Sequence, residues 1–237
     1  MDSRFLQQTK LLDFSDITIR RLVETRGWRR MPFTEKVKAI HAFVKDEILF
    51  GYNTDDNLPA SQVLAQGYGQ CNTKATLFMA LLRSCNVPCQ IHGFAIDKSV
   101  QRGVMTPFVY KQAPAEILHS WVEIFAEDET TVYCLEGYIL DRQYLSALRQ
   151  KFQPDPDGSF VGYGVATDNF RNPPVVFDSC NTFIQSKAIV KDFGVYLSPD
   201  ALFAAHKQKV GAIKRMAFRK IGRPSMNNAV SRIRSYR

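Results

Sequence analysis

No stretch of this sequence approaches the roughly 20 apolar residues that a membrane-crossing helix needs. Cysteine is scarce and odd in number, five in 237 residues, with no disulfide-framework spacing, so reduced thiols are expected. The opening MDSRFLQQTK has no apolar segment of the secretory type, which adds to the expectation of a cytoplasmic protein. Internal repeats and low-complexity tracts are missing. With 45% hydrophobic and 23% charged residues, extended disorder, collagen-like and coiled-coil architectures are excluded. Acidic residues are missing from 201–237, which holds ten Lys and Arg; the first 200 residues carry 21 basic against 23 acidic groups. The net charge of +8 therefore describes a tail and not a basic domain. A polyanion or an acidic partner is one reading of that tail. The simpler expectation is a solvated face packed on the domain by Leu202, Ile213, Phe218 and Ile221, since no aromatics interleave with the charges.

What is present reads as helices, then antiparallel strands, then helices, which is an α+β order. Thr34 to Phe50 is a helix with Val37, Ile40, Val44 and Ile48 on one stripe. A short helix runs from Pro59 to Gln66, and another from Cys71 to about Ser84 with Ala75, Phe78, Leu81 and Leu82 inward. Cys89 to Ile96 and Glu116 to Phe125 alternate as strands, and the latter sets His119, Trp121, Glu123 and Phe125 on one face. Glu127 to Thr130 is the turn of a hairpin, Thr131 to Leu135 the return strand, and Asp141 to Phe152 a helix. The Pro, Gly, Asp and Asn content of 153–179 predicts a long loop. Ser198-Pro199-Asp200 starts a helix, and Ser225 is a candidate cap for a last one bearing Met226, Val230 and Ile233. Four segments are expected: 1–33 helical, 34–152 the core, 153–197 a loop-rich extension packed on it, and 198–237 the basic helices.

One thiol stands apart. Cys71 follows Gly67-Tyr68-Gly69-Gln70 and opens a helix, where the positive dipole end and unpaired N–H groups favour a thiolate and an oxyanion. Flanking glycines allow a substrate chain to come close. His119, held in a strand, is the candidate proton carrier, and Glu136 at the end of the return strand is the candidate acid that orients it.

Gly69-Gln70-Cys71, Leu81-Leu82-Arg83, Asn86-Val87-Pro88-Cys89 and His119-Ser120-Trp121-Val122-Glu123 together resemble the transglutaminase-like superfamily, over roughly residues 34–141, in the manner of a small bacterial-type member. Two departures stand out: Asn86 where Gly is usual, and Glu136 where an Asp is usual, with Asp141 as the alternative third residue. The resemblance implies a papain-like fold and a Cys71–His119–acid triad that forms an acyl-enzyme from a peptide or protein carboxamide, without a cofactor. Hydrolysis is favoured over cross-linking on chain size. The rival reading is an inactive domain that binds a peptide or partner protein in the cleft. Related folds also make Gln70 and Tyr52 candidate oxyanion or substrate contacts, with ordinary turn chemistry as the plainer role, and Trp121 a shield over His119. Cys85, Cys89 and His92 supply three ligands and no fourth, so no metal site is expected.

Overall fold

The computed structural model describes residues 2–206, 216 and 218–236. Their order is α1 (Ile17–Arg26), α2 (Phe33–Asp46), β1 (Leu49–Phe50), α3 (Ala60–Gln66), β2 (Tyr68–Gly69), α4 (Cys71–Ser84), β3 (Cys89–Asp97), α5 (Pro107–Gln112), β4 (Glu116–Phe125), β5 (Val132–Leu135), α6 (Arg142–Lys151), β6 (Phe160–Gly162), β7 (Val165–Thr167), β8 (Ile189–Tyr196), α7 (Pro199–Ala205) and α8 (Arg223–Arg234). This is an α+β fold. Its centre is an antiparallel four-stranded sheet, β5-β4-β3-β8. No helix among the described residues is long and apolar enough to cross a membrane.

α4 lies against this sheet, and every residue from Asn72 to Ser84 is buried. It is sealed all round rather than along one stripe, because α2 and α3 cover the side that the sheet leaves open. Arg83, also buried, ties three segments together by donating to the carbonyls of Gln7, Cys89 and Leu197. The turn that follows holds Asn86 at φ +60°, the left-handed conformation that a glycine would adopt without cost and that Asn tolerates.

The extension departs from a plain loop. Residues 160–167 form a two-stranded hairpin, Phe170 and Phe177 enter the core, and β8 becomes the outer strand of the central sheet. Its exposed Val190 and Val195 weaken the apolar pattern, and register shifts against β3 near Gly93 and Ala95 break the period-2 signal. The last helix also starts differently: Gly222 and not Ser225 occupies the capping position, with Pro224 in the first turn.

The described part of the tail packs on the domain through Leu202 and Phe218 as expected, and through others besides, whereas Ile221 does not. Leu202, Phe203, Met226, Val230 and Ile233 are buried, Phe218 is half-buried, and Ile221 is 68% exposed. Ile213 and the basic residues Lys207, Lys209, Lys214, Arg215 and Arg237 lie outside the described residues. Three of the other tail arginines are engaged: Arg219 with Asp55, Arg223 with the Tyr68 hydroxyl, and Arg234 with Asp141. The Arg234 guanidinium donates to Asp141 Oδ2 at 2.6 Å and to the Phe50 carbonyl at 2.8 Å, so α8 is clasped to α6 and β1.

Burial would raise the Asp141 pKa, yet Arg234 and the N–H groups of Phe50 and Tyr144 outweigh it and hold the group below its ordinary value. A depressed carboxylate stabilises the fold above its unfolded pKa, and that contribution is lost as pH falls through the folded one. Arg234→Gln is therefore expected to cost about 3 kcal/mol at neutral pH, in the range for breaking a buried pair. The deficit relative to the native chain should shrink below about pH 4. Urea unfolding at both pH values measures it, and a pH-independent deficit would contradict the pairing.

Candidate active site

The first turn of α4 presents Cys71, half-buried and therefore reachable. As the first helical residue, it has an N–H without an intrahelical acceptor, available to a developing oxyanion. The approach to the turn is tight: a Cβ on Gly69 would stand 2.6 Å from Thr73 Oγ1 and 3.0 Å from Lys74 Cγ. Lys74 in turn donates through Nζ to the Ile139 carbonyl, linking the nucleophile helix to the segment after Glu136.

His119 sits on β4 and is fully buried, as is Glu136, and His119 Nε2 lies 2.7 Å from Glu136 Oε1. That contact leaves Nδ1, in its buried pocket, to Cys71 alone. Burial alone would lower the His119 pKa. The charge and hydrogen bonding of Cys71, with Glu136 behind, reverse this and carry it up to about 10. The raised pKa favours the charged form of the ring, which Glu136 faces from one side.

Glu136 is fixed from its far side by backbone alone. Its Oε2 accepts the N–H groups of Ile184 at 2.6 Å and Gln185 at 2.9 Å. The register Val122↔Leu135 between β4 and β5 explains why a glutamate serves here. Extended by one residue, it sets Glu136 opposite Trp121, two residues from His119 along the same face. A diagonal of this kind spans about 7–8 Å between backbones, which asks for a long stem.

Asp141 is elsewhere. It caps α6, accepting from Tyr144 N–H, and it accepts from Phe50 N–H and Arg234. Its role there is structural.

The remaining candidates take different parts. The Gln70 carboxamide is used as a strut of the turn, accepting from Asn53 N–H at 2.8 Å and donating to Asp56 at 2.8 Å. Tyr52 is buried with its hydroxyl donated to Gln101 Oε1 at 2.5 Å; burial, with Cys71 adding to it, raises its pKa and keeps the proton in place. Tyr52 is a wall of the site more than a free donor. The ring beside His119 is Phe94, with centroids 6.4 Å apart, and Trp121 packs on Phe94 at 4.1 Å instead of shielding His119 directly. Glu123 is buried and bonds His92 Nδ1 at 2.7 Å, Gln90 and the Trp121 indole, and Asp192 holds the other His92 nitrogen at 2.7 Å.

That network also places His92 away from Cys89, whose buried sulfur lies toward Met79 of α4. Among the described residues no group of three or more His, Cys, Asp or Glu side chains is arranged to hold a metal ion.

Two contributors had no signature in the sequence. The N–H groups of Ile184 and Gln185 belong to backbone, which any residue type supplies. Tyr138, buried against Phe78 and His41, has a hydroxyl without a partner, and its pKa is raised by burial first and then by Cys71 and Glu136. Only its proximity to those two groups in space reveals it.

Residues 21–133 match the sequence model of the Transglutaminase-like superfamily, so the resemblance read from the Cys71 and His119 motifs is borne out. A search of curated proteins gives no match. Among solved structures, one from Cytophaga hutchinsonii described as a "Putative Cysteine Protease" aligns with 83% of this chain at 12% identity and a TM-score of 0.44. The alignment takes in 47% of that protein, so this chain spans about half the length of the relative.

Proposed function

We propose that this chain, whose residues 21–133 carry the transglutaminase-like core, is a thiol-dependent enzyme that cleaves amide bonds through an acyl-enzyme on Cys71. The observation that supports it best is the buried His119–Glu136 contact of 2.7 Å, which leaves Nδ1 to Cys71, while Cys71 and Glu136 raise the imidazole pKa. In this reading the Cys71 thiolate attacks the carbonyl carbon of a peptide or carboxamide. The Cys71 N–H stabilises the oxyanion, and the His119 imidazolium gives its proton to the departing nitrogen. The neutral imidazole then takes a proton from water, which attacks the thioester and releases the acid. Glu136, through Nε2, keeps the ring oriented and favours its charged form throughout.

Intact-mass measurement of the chain with a set of glutamine-containing peptides tests this. The expected result is an acyl adduct on Cys71, released by hydroxylamine, together with ammonia or amine formation, and neither in Cys71→Ala. An added primary amine distinguishes acceptors: unchanged acid product supports hydrolysis, whereas amide product replaces it with transamidation. No adduct and no product with any peptide would overturn the proposal.

A further inference from the structure

A cavity of about 570 Å³ opens between the 102–110 segment and α8, within the size range of small-ligand sites. Its lining contains two arginines, Arg102 and Arg232, and no carboxylate. Both arginines are exposed, and among the described residues neither guanidinium has an ion pair or a side-chain hydrogen bond, unlike Arg219, Arg223 and Arg234, although the charge of Arg102 also acts on Asp97. Ser225, Asn228 and Tyr110 face the same space with polar groups that no other side chain occupies.

The donors are carried on fixed backbone. The Arg102 carbonyl accepts from Tyr163 N–H at 2.7 Å. Gly103 lies so close to the Tyr163 ring, at φ +84°, that an added Cβ would meet it at 2.2 Å. Arg232 is held by its neighbours Val230 and Ile233, both buried. A concave surface with cations of one sign focuses the field on its interior.

Tyr52 connects the cavity to the thiol's surroundings. Tyr52 bonds Gln101 through its hydroxyl and Asn227 through its backbone, at 2.5 Å and 2.7 Å, and the residues after these, Arg102 and Asn228, line the cavity. The same Tyr52 feels the charge of Cys71.

We propose that this cavity is an anion-binding site, which takes a carboxylate or phosphate group and thereby selects acidic substrates for Cys71. The anion site stands on the geometry of Arg102 and Arg232; its link to substrate rests on the amide-cleaving reading above.

Calorimetry on the full chain at low salt, with inorganic phosphate and with a Glu-Glu peptide amide as probes, tests it. Saturable binding is expected, weakened about tenfold or more in the Arg102→Gln/Arg232→Gln variant, as for the loss of charge-assisted hydrogen bonds. Arg20→Gln/Arg30→Gln, which alters exposed arginines elsewhere, should bind as the native chain does. Peptide binding that phosphate displaces supports a substrate subsite. Phosphate binding with no effect of the peptide supports the anion site and overturns its link to substrate. Equal binding in both double variants, or no saturation with either probe, overturns the site itself. Cys71→Ala should retain binding, so failure of the thiol chemistry and failure of the anion site give different results.

Discussion

Iodoacetamide should modify Cys71 rapidly at pH 6 and at a nearly constant rate up to about pH 9. A free thiol with a pKa of about 8.5 is almost entirely protonated at pH 6, so its rate climbs roughly tenfold per pH unit through this range. The His119 imidazolium changes that outcome, because its pKa is carried to about 10 by Cys71 and Glu136 against the opposing effect of burial. It stays charged across the range and keeps the thiolate as its partner. In His119→Ala the plateau should collapse to the profile of a free thiol, with a loss of about 10- to 100-fold at pH 6. Site-resolved mass spectrometry is needed, since Cys180 is exposed and will also react. Cys134 will contribute little, because burial first and Glu123 second push its pKa up to about 11. If Cys71 labels at pH 6 no faster than Cys180, the ion pair does not exist.

The same shift has a stability consequence of opposite sign to that at Asp141. A histidine whose folded pKa is raised above the ordinary 6.5 stabilises the fold fully below that value, and loses this contribution as pH climbs towards 10. Between the two groups, acid should weaken the α6–α8 clasp and alkali the active site.

The second large effect is expected from Glu136→Gln. The carboxylate accepts three hydrogen bonds while fully buried, one from His119 and two from the N–H groups of Ile184 and Gln185. A carboxamide has one oxygen, so its NH₂ must face either the imidazolium or the two backbone donors. Both orientations leave buried donors opposed, for a loss of about 3 kcal/mol. The imidazolium also loses its counter-charge, so the labelling plateau should shift toward the free-thiol profile. Asp141→Asn should separate these effects: it weakens α6 and the Arg234 clasp yet leaves the pH profile of Cys71 intact. Urea unfolding and alkylation on the two variants give the comparison, and a plateau that survives in Glu136→Gln but not in Asp141→Asn would exchange their roles.

A related constraint acts next door. A Cβ on Gly137 would stand 2.6 Å from Val175 Cα and 2.9 Å from Thr182 Cβ, and the Gly137 and Glu136 N–H groups both donate to Thr182 Oγ1. Close approach of 175 and 182 is what brings the Ile184 and Gln185 donors to Glu136, so this glycine is needed for room and not for a special φ.

Cys71 at a helix start, His119 on an alternating strand, and the hairpin that returns to Glu136 were legible because each is a local pattern. Helical and strand periods state which face a side chain occupies, and capping residues state where an element begins. The expected strand Glu116 to Phe125 and the helix from Cys71 to Ser84 match the observed bounds for this reason. Pairings between distant segments leave no such period. Whether Glu136 or Asp141 meets His119 depends on the β4–β5 register and on stem length. What holds Glu136 is backbone from residues 184 and 185, to which every sequence contributes alike. The outer strand β8, the clasp of Asp141 by Arg234, and the meeting of Arg102 with Arg232 arise the same way, from chain segments whose contact only packing decides. The sequence by itself determined which thiol and which histidine are candidates and the local elements that carry them; the tertiary structure alone decided which acid meets His119 and which cations line one cavity, because contacts between distant segments follow from packing and not from a local period.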